Sequence, residues 1–569
     1  MSSNEFDRSP VPPSQLEPGR HYAASYAGEH AAGTEFVIGA TFVAWGVGTM
    51  DILWGLLLGN LLAVLSWALI CAPIAVDTRL TLYAYLEKIA GRGTIKLYSV
   101  VNGIMFCVLA GAMITVSASA VRILFDLQPE VHWYPSSAGF VMVALGVGAV
   151  VAAIATKGFT RVAQFAEVCA PWMVMMFLVG GIALIPALIQ ATPGVDHLGS
   201  WADFKQMADL HIWRDTDGEL GFWHVAAFAW ICNLAMHGGL ADMTILRFAR
   251  KAQYGYFSAL GMFIGHFMAW VCAGIMGAGA ALLMKTAINE LDPGAVAFHA
   301  LGVSGILAVI IAGWTTANPT IYRAGLAFQS LNPNWSRQKV TALTGVVTTI
   351  IACFPFVFTK LLDFVGLMGL TLAPIGAVIV TEHWLFPKLG LTRYWASFDK
   401  RHTNWPAVIT WLAALLFAFI LNRAGIHLFF LLLPAWLFTM LVYTLLAKMA
   451  GAAKPFAEQA EIEKQQELAR KTQEQAFLQQ LDSEKAAGHD SSPTSRKRLL
   501  FGGATALTLV ACLVLALQAL NNQISLIEFR NYLIWPTGAY FVFAITWVLQ
   551  FKQEDQIPDP APQKNSAHD

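Results

Sequence analysis

Residues able to hold a solute or an ion stand inside apolar runs of this chain rather than in its polar loops. Thr315, Thr316 and Asn318 bring two hydroxyls and an amide into one apolar segment, and Pro319 beside them frees a backbone carbonyl. Hard oxygen donors of this kind suit a small hard cation. Alternatively, each hydroxyl bonds back to its own helical turn. Trp230 and Asn233, spaced i and i+3, share one helix face. There an indole can stack on a flat heteroaromatic ring while the amide offers its edge a donor and an acceptor. The competing place for such an indole is an interfacial belt, and the chain has 19 Trp to distribute. His237 is open to three roles: packing, substrate contact, or carriage of a coupling proton. No His, Cys or Glu set has metal-ligand spacing, and no Gly-rich phosphate loop with its Lys occurs. An ATP-driven pump and a membrane metalloprotease are therefore unsupported.

The elements that must position these residues are membrane helices. The chain is 56% hydrophobic and 13% charged over 569 residues, whereas a soluble domain carries about 25% charged residues. That excludes a soluble enzyme. Lys+Arg and Asp+Glu both total 36, so no charge excess points to nucleic acid. The seven Cys all lie in apolar runs, which rules out a disulfide framework. A bilayer core needs roughly 20 apolar residues per helix. Runs of that kind fall near 34–50, 52–75, 95–124, 138–156, 165–190, 222–248, 254–285, 295–327, 339–358, 360–384, 405–422, 427–448, 499–520 and 533–551.

Basic residues gather in alternate connections, from Arg79, Lys88, Arg92 and Lys96 after the second run to Lys388, Arg393, Lys400 and Arg401 after the tenth. That pattern predicts an inner-membrane protein with both termini cytoplasmic. Residues 1–33 read as a disordered cytoplasmic tail without signal-peptide character. A twelve-helix core over 34–448 is followed by a charged, helical cytoplasmic linker at 449–498. Two further helices at 499–551 and a disordered tail at 552–569 complete the chain, and the added pair is a candidate for self-association.

Two runs contain breaks, at Ala44-Trp45-Gly46-Val47-Gly48 and at His237-Gly238-Gly239-Leu240-Ala241-Asp242. They lie five helices apart, so their helices cross the membrane in opposite senses. That is the signature of an inverted repeat with a midplane binding site. The other reading is that these glycines only allow close helix packing. Asp242 is read as a structural ion-pair partner of Arg247 and Arg250, and Glu35 and Asp363 as helix-end residues.

Four segments carry a family resemblance: Gly59-Asn60-Leu61-Leu62; Ala241-Asp242-Met243 with Leu246-Arg247-Phe248-Ala249-Arg250; Trp314-Thr315-Thr316 with Tyr322-Arg323-Ala324-Gly325; and Ala373-Pro374-Ile375-Gly376-Ala377-Val378-Ile379-Val380 with His383-Trp384. Over about residues 30–448 the chain resembles the nucleobase:cation symporter-1, or purine–cytosine permease, family. The resemblance implies an all-α polytopic membrane protein with a five-plus-five inverted repeat of the leucine-transporter type. Twelve core helices would precede the two extra C-terminal ones.

It also implies symport of a nucleobase, hydantoin, allantoin or similar heterocycle with Na⁺ or H⁺, and no enzymatic cofactor. On this resemblance the cation lies near the carbonyls of Ala44 and Val47 and the hydroxyls of Thr315 and Thr316. Substrate contacts fall on Trp45, Phe106, Leu109, Trp230, Asn233 and Asn318, with Leu109 where relatives often carry a stacking Trp. Two alternatives remain open: a transporter of the same fold for amino acids or quaternary amines, and a transporter-like sensor that binds without flux.

Overall fold

A helix crossing a bilayer must satisfy every peptide group internally, so it is either unbroken or broken beside a cavity. The computed structural model describes Phe6 and residues 8–130, 132–157, 159–216, 218–332, 334–486 and 496–554. Among the described residues, eleven helices are long and apolar enough to cross a membrane. In chain order they are span 2 (Thr49–Thr78), span 3 (Leu82–Phe125), span 4 (Ala138–Ala155), span 5 (Glu167–Gln190), span 7 (Ala252–Met284), span 8 (Val303–Gln329), span 10 (Lys360–Lys388), span 11 (Trp405–Arg423), span 12 (Leu432–Ala452), span 13 (Leu499–Leu520) and span 14 (Leu526–Leu549). Three shorter crossings complete the set. Span 9 is Arg337–Ala352. Span 1 is divided into Gly19–His30 and Thr34–Ala44. Span 6 is divided into Phe222–Ile231, Leu234–His237 and Met243–Leu246. The chain is thus an all-α integral membrane protein with twelve core spans and an added pair.

The N-terminal expectation is corrected here. Much of the segment read as a tail is Gly19–His30, the first half of span 1, with Tyr22 and Tyr26 buried. Its polar residues hide it from a hydropathy reading because they face protein partners rather than lipid. The first break moves accordingly, to Ala31-Ala32-Gly33. A Cβ on Gly33 would stand 2.7 Å from Val116 Cγ1 and 3.3 Å from the Gly313 nitrogen, so the break lies directly against spans 3 and 8. Ala44 through Gly48 instead ends span 1 and turns into span 2, with Gly46 at φ +70°.

The second break is where the sequence places it, with an additional interruption upstream. Span 6 leaves helical geometry at Asn233, and again through Gly238–Asp242, where Leu240 has φ +61°. Span 10 covers this break so closely that a Cβ on Gly376 would lie 1.7 Å from the Gly238 carbonyl oxygen.

Spans 13 and 14 pack on each other and against span 5. Tyr540 donates to the Val168 carbonyl at 2.8 Å, and Ser304 of span 8 lies 3.2 Å from Thr537. The helix Ala457–Ala486 is mostly exposed. One of its faces docks on the end of the bundle that carries most Lys and Arg, hereafter the basic face. Glu467 meets Arg393 at 3.2 Å, Lys471 meets Asp77 at 2.5 Å, Glu474 accepts from Arg79 Nε at 2.9 Å, and Glu463 pairs with Lys88. The positions 463, 467, 471 and 474 lie on one helical stripe. Residues 487–495 of the expected 449–498 linker, and residues 555–569 of the expected terminal tail, lie outside the described residues. All seven Cys are free thiols.

Candidate functional site

Where spans 1 and 6 break, spans 3, 7, 8 and 10 close around them and leave a central cavity of about 40 Å³. At about 10–15 Å³ per water it holds roughly three water molecules, so a heterocycle would enter only if the half-helices move. Glu29, His30, Glu35, Asn233, His266 and Thr316 supply its polar wall. Leu109, Met113, Val365 and Met368 supply apolar surface.

The unwound peptide groups of span 1 meet span 8 here. Thr316 Oγ1 donates to the Glu29 carbonyl at 2.8 Å and lies 3.1 Å from the Ala312 carbonyl. Thr315 Oγ1 also lies 3.1 Å from the Ala312 carbonyl. Both threonines thus bond back to their own helical turn, as expected of lone hydroxyls, and Thr316 in addition joins the unwound Glu29 carbonyl, bringing oxygens of the kind a small hard cation takes to the break. Among the described residues no group of three or more His, Cys, Asp and Glu is placed to hold a metal.

Beneath the cavity, toward the basic face, lies a buried charge cluster. Arg323 of span 8 reaches the two Glu29 carboxylate oxygens at 2.5 and 3.1 Å and Asp242 at 2.6 Å. Asp242 also accepts from the Trp67 indole at 2.7 Å and the Tyr26 hydroxyl at 3.2 Å. The partnership expected for Asp242 is thereby corrected. Arg247 turns instead to the Phe6 carbonyl at 2.5 Å, and Arg250 to the Leu16 carbonyl at 3.1 Å. Arg323 is a fully buried residue inside span 8, because two carboxylates on the broken helices offset its desolvation.

On the opposite side of the cavity Glu35 accepts from the Trp270 indole and faces His266 at 3.7 Å. It begins the second half of span 1 and lies inside the protein, whereas Asp363 is an exposed helix-end residue beside Lys360. An aromatic plug shuts this side. Phe42 meets Trp45 at 4.8 Å, Trp45 meets Phe228 at 5.7 Å, and Phe228 meets Phe429 at 5.1 Å. Beyond the plug is a vestibule of about 250 Å³ lined by Thr41, Trp45, Asp363 and His427.

Of the residues singled out in the sequence, Leu109, Asn233 and Thr316 line the central cavity. Thr315 stands behind Thr316. Trp45 belongs to the plug and vestibule. Phe106 is buried in span 3 without lining the cavity. Trp230 donates to Ser66 at 3.0 Å, and His237 Nε2 lies 3.0 Å from the Trp230 carbonyl with its ring 4.8 Å from Trp67. Asn318 is fully buried with both amide atoms lacking a hydrogen-bond partner.

Ala44 and Val47 are corrected as cation ligands. Ala44 lies eleven residues past Gly33, about 16 Å of helix rise away from the break. The break carbonyl that meets Thr316 belongs to Glu29. Glu29, His30, Glu35 and His266 were not singled out as site residues; four ionisable groups in two weakly hydropathic or apolar runs were the available signal.

No family model and no curated protein sequence matches the chain. Solved structures do resemble it. One is Mhp1, a nucleobase-cation-symport-1 family transporter in a closed conformation with bromovinylhydantoin bound. It aligns with TM-score 0.58 at 14% identity over 81% of this chain and 99% of that one. Another is the substrate-bound outward-open state of a Na⁺-coupled sialic acid symporter. It aligns with TM-score 0.55 at 12% identity over 79% and 92%. At these identities the likeness is one of fold: the chain has a five-plus-five inverted-repeat fold of the leucine-transporter type, extended by a C-terminal pair.

Proposed function

We propose that the chain is a secondary active transporter that couples a cation to uptake of a small solute by alternating access. The observation that carries this reading is the meeting of the unwound Glu29 carbonyl with the Thr316 hydroxyl, at the wall of a cavity between two oppositely inserted broken helices. A Na⁺ ion at these oxygens and the Thr315 hydroxyl would join the two helix groups. It would also offset the excess negative charge of the Glu29–Arg323–Asp242 cluster. Solute binding at the neighbouring breaks then gains from the ion, and the ion gains by the same factor from the solute.

The proposed solute class is a nucleobase, hydantoin, allantoin or related heterocycle. Asn233 and Glu35 can address the N–H and C=O groups on the edge of such a ring, and the imidazole of His266 offers a flat face. The solved neighbour with bromovinylhydantoin bound supports the same class. Glu35 also favours a second reading, an amino acid or amine whose ammonium pairs with this carboxylate. Counterflow in proteoliposomes with labelled cytosine, hydantoin, allantoin and a small amine, under imposed Na⁺ or H⁺ gradients, tests both. Exchange of a heterocycle supports the first reading and exchange of the amine alone supports the second. No exchange of any probe removes the substrate assignment.

A further inference from the structure

Glu35 and His266 face the solute in the proposed transport cycle, and their placement relative to the break gives them a further capacity. Glu35 begins the second half of span 1, and His266 lies on span 7 with its Nε2 3.7 Å from Glu35 Oε1. Trp270 fixes both partners: its indole donates to Glu35, and its ring stacks on His266 at a centroid distance of 4.3 Å. Both residues are buried, and both line the cavity.

The charged and titratable groups around this pair and the neighbouring Arg323 cluster come from four elements. Span 1 supplies Tyr26, Glu29 and His30; span 2 supplies Cys71; span 6 supplies Cys232, His237 and Asp242; span 8 supplies Arg323. Toward the cavity, spans 3 and 10 present only apolar side chains. The cavity and the cluster beneath it thus hold three carboxylates and one guanidinium. Arg323 is engaged by Glu29 and Asp242, which leaves that trio one negative charge in excess, and among the described residues Glu35 has no guanidinium or ammonium partner. A carboxylate buried in this way must be neutralised, by a bound proton or by a cation of its own.

We propose that Glu35 and His266 form a proton-binding site, separate from the oxygen cluster at Thr316, and that a proton taken up there travels with each solute. The proposal rests on the transporter reading. The proton enters from the vestibule side when the Trp45 plug opens and binds Glu35. A closure of about 0.9 Å brings Glu35 Oε1 and His266 Nε2 to hydrogen-bonding distance. The proton can then pass from the oxygen to the imidazole lone pair, leaving a carboxylate–imidazolium pair. Its release toward the basic face restores the neutral imidazole, and no electrons are exchanged. The trio's remaining negative charge falls to the cation at Thr316, so the cavity is neutral when both sites are filled.

The test uses the full chain in proteoliposomes loaded with a pH-sensitive dye, with labelled hydantoin and cytosine as probes. Proton entry should accompany probe entry, and an acid-outside gradient should raise uptake. The ratio of uptake with and without the gradient should fall to one in Glu35→Gln and recover in Glu35→Asp. Gradient stimulation that persists in Glu35→Gln, or probe entry without proton entry, overturns the proposal. If neither probe enters, the solute assignment fails by itself, and the proton site is then read without solute by pH-titrated infrared spectroscopy of the purified protein. A protonated-carboxyl band that titrates, is missing in Glu35→Gln and shifts in His266→Gln supports the site. A spectrum identical in wild type and Glu35→Gln overturns it.

Discussion

Arg323 and Glu29 form a fully buried bidentate pair, at 2.5 and 3.1 Å, that ties the unbroken span 8 to the last turn before the break in span 1. Since Asp242 of span 6 shares the same guanidinium at 2.6 Å, one cation holds both broken helices to one scaffold helix. Paired forks of this type fix geometry as well as supplying energy.

Removing that cation should leave two buried carboxylates unpartnered. Arg323→Met is expected to cost about 3–5 kcal/mol. Glu29→Gln and Asp242→Asn should each cost less, because a carboxylate stays on Arg323. Their effects should also be non-additive, since the two sites share a partner. Thermal unfolding in detergent checks this; additive losses would contradict the shared cluster.

Loss of one hydroxyl should be legible as ion affinity. Thr316→Val keeps the side-chain shape and removes the oxygen that reaches the Glu29 carbonyl. A loss of about 1.4 kcal/mol would raise the Na⁺ concentration needed for half-maximal thermal stabilisation roughly tenfold. Thr371→Val, at an exposed hydroxyl bonded only to its own helix, should leave the titration unchanged. Identical titrations of wild type and Thr316→Val would remove Thr316 from the ion site.

The contact between Gly376 and Gly238 leaves no room for a methyl group. Gly376→Ala should separate span 10 from the break in span 6, with a loss of about 1–3 kcal/mol or more. Gly503→Ala is the control. Nothing lies within 4 Å of its added Cβ, and alanine favours the helix, so stability should hold or rise. Equal melting temperatures for the two variants would contradict the packing.

The docked helix Ala457–Ala486 should respond to mutation and to salt in different ways. Arg79 is fully buried against Glu474, so Glu474→Gln is expected to cost about 3 kcal/mol at any ionic strength. The Lys471–Asp77 pair is partly exposed, so Lys471→Gln should cost under about 1 kcal/mol and less in high salt. Melting curves at low and high NaCl separate the two. A salt-sensitive loss in Glu474→Gln would place Arg79 in water.

Hydropathy and loop punctuation carried the count of crossings, the added C-terminal pair and the break at Gly238–Asp242, because each is written in a contiguous stretch of apolar or helix-breaking residues. Thr316 and Asn233 stood out as polar side chains in apolar helices, Leu109 came from the family resemblance, and all three line the cavity. Tertiary structure alone decided where span 1 begins. Gly19–His30 is too polar to face lipid, and becomes a membrane segment only because spans 5, 7 and 8 surround it. It also decided that Asp242 belongs to Arg323 rather than to the arginines beside it, and that the helix end carrying Glu35 lies buried at a cavity. Hydropathy reports the environment a residue prefers, whereas the partner that makes a buried charge tolerable comes from another helix, brought within 3 Å only when the faces of spans 1, 6 and 8 meet.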